Sequence, residues 1–121
     1  MSKPEKHVVL ISGAASGIGQ RAAERFIERG DSVHICDVAP DMVADFLAQN
    51  PSATGTVADI GNREHVDRVY ADLEKHHKYI DVLVNNAGIA GPSARVDEHD
   101  EDGWDKCIQV NLSGTFYMTR R

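Results

Sequence analysis

Hydrophobic and polar positions alternate along the chain in blocks that predict strands and helices in turn. Four short apolar runs predict strands at residues 7–12, 32–37, 55–59 and 80–84. Continuous apolar runs are typical of parallel strands that are buried on both faces of a sheet. Apolar residues at helical spacing predict helices at 17–29, 40–49 and around 66–73, and a final helix from about Asp102 or Gly103. This alternation predicts βαβ units with right-handed crossovers, and therefore an α/β fold with a parallel sheet.

Composition and charge exclude several classes of protein. The 121 residues are enough for one domain with a core but not for two, so we expect a single domain over residues 1–121. A net charge of -6 argues against a nucleic-acid partner, which requires clustered basic residues. No apolar run is long enough to span a membrane, and the N-terminal residues do not read as a signal peptide. The two lone cysteines, Cys36 and Cys107, favour a reducing compartment, and we expect a cytoplasmic protein.

A glycine-rich turn follows the first predicted strand, in the stretch SGAASGIG at residues 12–19. Gly13 stands where the chain must turn sharply, and Gly19 lies where the next helix can pack closely because no side chain intervenes. Gly17 lies at the start of that helix, where free backbone N–H groups and the helix dipole attract a phosphate. Ser16 is placed to cap the helix and to offer its hydroxyl to a pyrophosphate. The alternative is a glycine-rich turn with a purely structural role.

Asp37 ends the second predicted strand about twenty residues after the glycines, where a carboxylate accepts hydrogen bonds from both ribose hydroxyls of an adenosine. Its negative charge would repel a 2′-phosphate. No Lys or Arg follows it at Val38 or stands at residues 14–16 to offset that repulsion. We therefore predict that the cofactor is NAD rather than NADP. The alternative is a capping role for Asp37 before the helix that begins near Pro40.

Together with these residues, three further segments resemble the short-chain dehydrogenase/reductase family. They are DI at residues 59–60, NNAG at 85–88 and Asn111 in VNLSGTF. The glycine pattern of the family is TGxxxGxG, and Ser12 stands here in place of its threonine. The resemblance extends from about residue 7 to the end of the chain. It implies a Rossmann-type doubly wound parallel sheet, present in part, with strand order 3-2-1-4 and flanking helices.

The resemblance also implies site residues in the matching segments. For the cofactor they are Gly13, Ser16, Gly17, Ile18, Gly19, Asp37, Asp59, Ile60, Asn86, Ala87 and Gly88. Asp59 would bind the adenine amino group with its side chain, and Ile60 would line the adenine pocket. The NNAG segment would support the sheet and line the adenosine ribose, with an Asx-rich turn as the alternative.

Asn111 is the one candidate catalytic residue of the chain. It lies beside an apolar stripe on the final helix, formed by Trp104, Ile108, Leu112 and Phe116. A buried asparagine is costly unless its amide is paired, so we expect Asn111 either to bond locally or to join a polar network. The resemblance implies the second role, in which Asn111 holds a water molecule of a proton relay and shapes the helix. A plain helix asparagine is the alternative.

The catalytic Ser, Tyr and Lys of the family lie further beyond Asn111 than the ten residues that follow it here. Tyr117 and Arg121 imitate the Tyr-x-x-x-Lys spacing, but they follow Asn111 too closely, and arginine differs from lysine in shape and proton affinity. We therefore interpret the chain as the N-terminal part of a family member, and expect no hydride transfer by residues 1–121 alone. The complete enzyme would transfer a hydride between NAD and a secondary alcohol or its ketone.

Two other functions are compatible with parts of the sequence. One is a non-enzymatic dinucleotide-binding module. The other is a Rossmann-like methyltransferase, against which the NNAG and Asn111 segments argue. No metal site is predicted, because the adjacent His76 and His77 point apart on a helix and no HExxH or CxxC framework accompanies the histidines.

The isolated chain is expected to self-associate. With strand order 3-2-1-4 the fourth strand is an edge, where apolar residues and unpaired backbone groups are exposed. The apolar stripe of the final helix cannot all face one sheet, and the resemblance implies that this helix packs on its partner in a homo-oligomer. Sedimentation of residues 1–121 should therefore show self-association or poor solubility, with weak NAD affinity. A well-behaved monomer that binds NAD tightly would instead favour the binding module.

Overall fold

The computed structural model describes residues 5–91 and 93–121 as four strands and a series of helices. The strands are β1 (Val8–Ser12), β2 (Ser32–Asp37), β3 (Thr54–Val57) and β4 (Val82–Val84). The α-helices are α1 (Gly17–Arg29), α2 (Pro40–Gln49), α3 (Arg63–Glu74), α4 (Glu101–Cys107) and α5 (Thr115–Thr119). A 3-10 turn at Val96–Glu98 precedes α4, and a π-helical segment at Ile108–Gly114 joins α4 to α5. Strands and helices therefore alternate as the hydrophobic pattern predicts.

The four strands form one parallel sheet in the order β3-β2-β1-β4. β1 lies inside the sheet, where Val9 pairs with Val33 of β2 and with Val82 of β4. This order confirms the predicted fold class, a partial doubly wound sheet with flanking helices. In the part of the chain that the structure describes, β4 has a neighbour on one side only and forms an edge.

Helices cover both faces of the sheet. Successive side chains of each strand point to opposite faces, so apolar side chains of the strands pack against helices on both sides. One core lies between the sheet and helices α1 and α2, and it includes Val9, Ile35 and Phe46. The other lies against α3 and α5 and includes Leu10 and Met118. Among the described residues, no helix combines the length and the hydrophobicity needed to cross a bilayer.

β1, β3 and β4 are all shorter than the apolar runs that predict them, and side chains account for the two larger differences, at the start of β4 and the end of β3. β4 begins at Val82, two residues late, because the carboxylate of Asp81 accepts the N–H of Val8 at 2.7 Å in place of a strand carbonyl. β3 ends at Val57, two residues early. There the side chain of Asp59 accepts the backbone N–H two residues further on, at 2.9 Å, and turns the chain out of the sheet.

The final helix runs through α4, the π-helical segment and α5. It begins at residue 101, slightly earlier than predicted, because Asp100 caps it by accepting the N–H of Gly103 at 2.9 Å. Its predicted apolar stripe is between 40% and 65% exposed, at Trp104, Ile108, Leu112 and Phe116. The contacts of this helix with the core come instead from buried residues such as Val110 and Met118.

His34 is a buried histidine in β2 that no motif in the sequence distinguishes from its neighbours. Its ring nitrogens lie 2.7 Å from Thr54 Oγ1 and 2.9 Å from Thr56 Oγ1 on β3. The Thr56 hydroxyl donates to Asp72 of α3 at 2.7 Å, so it accepts from the Nε2–H of His34, and Nδ1 accepts from Thr54. Burial lowers the pKa of His34 to about 4, although the charge of Asp72 opposes the shift. The ring is therefore neutral at pH 7.

The neutral ring of His34 makes the stability of the fold depend on pH. Its pKa is about 4 in the folded chain and 6.5 for an ordinary histidine, so the unfolded chain binds more protons between these values. This contribution to the free energy of unfolding is fully present above pH 6.5 and is lost as the pH falls toward 4. The loss amounts to roughly 3 kcal/mol.

Urea unfolding at pH 7, 5.5 and 4.5 measures this loss, which should be clearly smaller in His34→Gln than in the wild type. Asp59 and Asp72 also have lowered pKa values, so their stabilising contributions are lost only as the pH falls through and below the ordinary value of 3.8. These two losses therefore fall below the pH range that is measured. Parallel curves for the two proteins would contradict the assignment to His34.

Candidate functional site

A cleft of about 530 Å³ opens where β1, β2 and β4 end, at the edge where ligands bind in open α/β sheets. Its volume lies within the range of small-molecule and cofactor sites. The predicted site residues that line it are Gly13, Ser16, Asp37, Asp59, Ile60, Asn86, Ala87 and Gly88. The residues that line it without having been predicted are Cys36, Val38, Ala58, Ile89, Lys106 and Val110. The fold therefore brings together segments that lie far apart in the chain.

The turn between β1 and α1 is packed so closely that two of its glycines have no room for a side chain. Gly13 has φ 64°, and a Cβ on it would lie 2.8 Å from the Cα of Ala87. A Cβ on Gly19 would lie 2.3 Å from the carbonyl oxygen of Gly13 and 2.5 Å from Nδ2 of Asn86. The prediction that Gly19 permits close packing of the helix is therefore confirmed. Gly19 itself is not among the residues that line the cleft.

Gly17 is different, because the space in front of it is open. It begins α1 with φ 59°, and a Cβ built on it meets no atom within 4 Å. The side chain of Ile18, the next residue, is 83% exposed. Since the first N–H groups of a helix have no partner within it, this end of α1 can accept an anion, as the glycine spacing predicts.

Ser16 occupies the N-cap position of α1, but the predicted capping bond is absent. The residue has an extended backbone (φ -157°, ψ 169°), and its side chain makes no hydrogen bond to the helix. The capping role is therefore wrong for Ser16, although two other extended N-cap residues, Asn62 and Asp100, do cap their helices. Ser16 lines the cleft instead, where its hydroxyl is available to a ligand.

The NNAG segment is tied to the end of β1 by hydrogen bonds that cross the sheet. The backbone N–H groups of Asn86 and Ala87 donate to Ser12 Oγ at 3.1 and 3.0 Å. The side-chain amide of Asn86 donates to the carbonyl of Gly13, 73 residues away, at 3.0 Å. These bonds give the segment a supporting role for the turn that an isolated Asx-rich turn would not have.

Asp37 places its carboxylate at the end of β2, in the wall of the cleft. Its Oδ2 accepts the N–H of Ala15 at 3.1 Å, and its Oδ1 accepts the N–H of Ala39 at 3.3 Å. Because the N-cap of α2 is Ala39, the alternative role of Asp37 as the cap of that helix is not observed. Lys106 is the cation among the described lining residues, and it pairs with Asp59 rather than with Asp37.

Asp59 and Ile60 are both held by the final helix. The Oδ2 of Asp59 lies 2.9 Å from Lys106 Nζ, and its Oδ1 accepts the N–H of Gly61 at 2.9 Å. Burial alone would raise the pKa of Asp59, but the bond and charge of Lys106 together with the N–H of Gly61 hold it below 3.8. Ile60 is 4% exposed, and it packs so closely on Gly114 that a Cβ there would lie 2.8 Å from its side chain.

Asn111 is exposed, so the expectation of a buried asparagine is wrong. It lies in the π-helical segment, next to the chain that follows β4. Its Oδ1 accepts the N–H of Ile89 at 2.8 Å, and its Nδ2 donates to the carbonyl of Ile89, also at 2.8 Å. The amide is therefore paired with the backbone of Ile89, 22 residues away, and not with a neighbour in its own helix. The role in a proton relay stays a prediction.

Tyr117 lies outside the cleft, and its partner is not the residue four positions later. Arg63 Nε donates to the Tyr117 hydroxyl at 3.2 Å, and the guanidinium lies 5.3 Å from the ring centroid. The bond from Arg63 is the main cause that lowers the pKa of Tyr117. Arg121 forms an ion pair with Asp67. Tyr117 and Arg121 therefore do not form the pair that their Tyr-x-x-x-Lys-like spacing would suggest.

Neither a cysteine nucleophile nor a metal site is supported by the described residues. Burial, and then the charge of Asp37, raise the pKa of the Cys36 thiol to about 12, so this lining residue is not a nucleophile at neutral pH. Within ranges 5–91 and 93–121, no group of three or more His, Cys, Asp or Glu side chains is arranged to hold a metal ion.

The family model described as short chain dehydrogenase matches residues 7–121. An NAD-dependent glycerol dehydrogenase from Listeria innocua is 40% identical over 115 residues, which are 93% of this chain and 44% of that protein. The chain thus spans about half the length of the curated relatives it matches.

Solved structures show the same similarity. A 3-ketoacyl-(acyl-carrier-protein) reductase from Brucella melitensis, complexed with NADH, matches with a TM-score of 0.91 and 32% identity, over 96% of this chain and 48% of that one. An actinorhodin polyketide ketoreductase with NADPH matches with a TM-score of 0.90 and 29% identity, over 95% and 45%. The two neighbours hold different dinucleotides, so similarity by itself does not choose between them.

Gly19→Ala should destabilise the fold strongly, because the added Cβ meets a backbone carbonyl that cannot move without opening the turn. We expect a loss of ~3 kcal/mol in the free energy of unfolding, from urea titration. Gly17→Ala is the matched control: its Cβ meets open space, and the positive φ costs only about 1 kcal/mol. Equal losses for the two variants would show that close packing at Gly19 is not the constraint.

Proposed function

The chain belongs to the short-chain dehydrogenase family of oxidoreductases, and from that premise we propose that it forms the dinucleotide-binding part of an NAD-dependent enzyme. The reaction is hydride transfer between NAD and a small secondary alcohol or its ketone. The observation that carries the choice of NAD is the carboxylate of Asp37, which lies in the wall of the cleft at the end of β2. Cytoplasmic location and homo-oligomeric assembly of the complete enzyme stay predictions.

The residues present fit a dinucleotide. The open space before Gly17 suits a pyrophosphate, which the first N–H groups of α1 and the hydroxyl of Ser16 would hold. Ile60 and Val110 offer apolar surface for a flat base in another part of the cleft, beside the acceptor Asp59. Polar and apolar surfaces therefore occur in one cleft, as binding of a nucleotide with a phosphate and a base requires.

The charges of the cleft favour NAD over NADP. Asp37 would accept hydrogen bonds from the ribose hydroxyls of the adenosine, and the same carboxylate would repel a phosphate on the 2′ position. The cation among the described lining residues, Lys106, is already paired with Asp59. It therefore does not offset the repulsion at Asp37, as a basic residue beside the ribose would do.

In the proposed enzyme this part of the chain binds and orients, and it does not transfer the proton. The nicotinamide ring, when bound, supplies or accepts the hydride. Asn86 holds the turn after β1, and Asn111 holds the backbone of Ile89, so both asparagines keep the cleft wall in place. The resemblance implies that the Ser, Tyr and Lys that move the proton follow Asn111 in the complete enzyme.

Asp37→Ala should reduce the preference for NADH over NADPH. We expect the wild type to bind NADH at least about tenfold more tightly, which corresponds to about 1.4 kcal/mol. Loss of the carboxylate should narrow this ratio, chiefly by strengthening NADPH binding, because it removes the repulsion of the 2′-phosphate. Fluorescence titration of the purified chain with each reduced dinucleotide gives both dissociation constants.

Asp45→Ala is the matched control, since it removes an exposed carboxylate on α2 that does not line the cleft. The ratio of its dissociation constants for NADPH and NADH should equal that of the wild type. A wild type that binds NADPH as tightly as NADH would refute the choice of NAD while leaving dinucleotide binding intact. A soluble chain that binds neither dinucleotide, even weakly, would refute the proposed function.

A further inference from the structure

We propose that Lys106 is a positioning residue that makes the site selective for an adenine base. It holds the carboxylate of Asp59 as a fixed, ionised hydrogen-bond acceptor in the cleft. The site would then favour a base with an amino group at the 6 position and disfavour one with a carbonyl there. This inference rests on the proposed function, because it assumes that the cleft binds a dinucleotide.

The two side chains meet inside the cleft from distant parts of the chain. Asp59 follows β3 and Lys106 lies on α4, and both line the cleft. Lys106 Nζ lies 2.9 Å from Oδ2, while the N–H of Gly61 occupies Oδ1 at 2.9 Å. The side chains are 56% and 28% exposed, so the pair contributes little to stability. Its effect is to fix the carboxylate in one orientation, with one oxygen bonded to Lys106 and the other to Gly61.

The loop that carries Asp59 is attached to the final helix by contacts that do not involve Lys106. Gln109 Nε2 donates to the carbonyl of Gly61 at 2.6 Å. Ile60 packs against Gly114. Because these contacts remain when the lysine is replaced, the loss of Lys106 should release the carboxylate without releasing the loop. The role of Lys106 can therefore be separated from that of the fold.

The chemistry of an ionised carboxylate gives the selectivity. Such a group only accepts hydrogen bonds, and each of its oxygens has two lone pairs, so Asp59 can accept one more donor beside Lys106 and Gly61. The 6-amino group of adenine is a donor. The 6-carbonyl of hypoxanthine is an acceptor and would face the negative charge. Ala58 and Val110 also line the cleft and add apolar surface, which strengthens the electrostatic difference.

The test compares ADP-ribose with inosine diphosphate ribose, which differ only in the base. Calorimetric titration at pH 7 should give the wild type a preference for ADP-ribose of about tenfold. Lys106→Met should weaken ADP-ribose binding about fivefold and narrow the preference, and Lys106→Arg should restore both. Lys75→Met is the control, since it breaks a comparable exposed pair with Asp72, 3.1 Å apart, outside the cleft, and it should match the wild type.

Asp59→Asn supplies a second measurement. The carboxamide can donate to a 6-carbonyl, so this variant should lose the preference for ADP-ribose, and adding Lys106→Met should change its ratio no further. An unchanged or larger preference in Lys106→Met overturns the inference and leaves the proposed function standing. An equal loss of affinity for both probes in Lys106→Met, together with a lowered melting temperature, would indicate a structural role only and would also overturn the inference. A wild type that binds neither probe overturns both.

Discussion

The backbone has to leave β1 and enter α1 within four residues, and it does so in contact with the segment that follows β4. The Cα of Gly19 lies where a Cβ would meet the carbonyl of Gly13, and that same carbonyl accepts the side-chain amide of Asn86. One carbonyl thus joins the turn, the first helix and the NNAG segment. The opening of the cleft and the free end of α1 depend on this contact, because a wider turn would move both.

The cleft that results contains two carboxylates with different surroundings. Asp37 lies in the cleft wall, where its carboxylate accepts hydrogen bonds from two backbone N–H groups. Asp59 is paired with Lys106. In the proposed function, the carboxylate of Asp37 would discriminate against a 2′-phosphate, while that of Asp59 is held as a fixed acceptor by Lys106. The two aspartates therefore have different proposed roles, because Lys106 pairs with Asp59 and not with Asp37.

The final helix does more than cover the sheet. One face carries Lys106 and Val110, four residues apart, to the cleft, and Asn111 binds the backbone of Ile89 beside it. Another face presents the exposed apolar stripe. The helix therefore connects the cofactor cleft with the surface where we expect a partner subunit, and its π-helical segment lies at the junction. Such segments are frequent at functional sites.

The sequence by itself determined the features that depend on neighbouring residues. Hydrophobic spacing predicted the order of the strands and helices, and the resemblance supplied the strand order that the sheet confirms. The glycine spacing predicted the close approach at Gly19, which is confirmed. Binding of a cofactor by the other site residues stays a prediction. The error at the start of β4 arose because a side chain, that of Asp81, replaced an expected backbone partner.

Only the tertiary structure decided the contacts between distant segments. Lys106 meets Asp59 across 47 residues, and His34 forms a buried network with threonines of the next strand. It also showed that Asn111 is exposed and bonded to Ile89 rather than buried. The periodicity of a helix tells which residues share a face. Which loop that face meets depends on how the elements pack, and neither spacing nor composition contains that information.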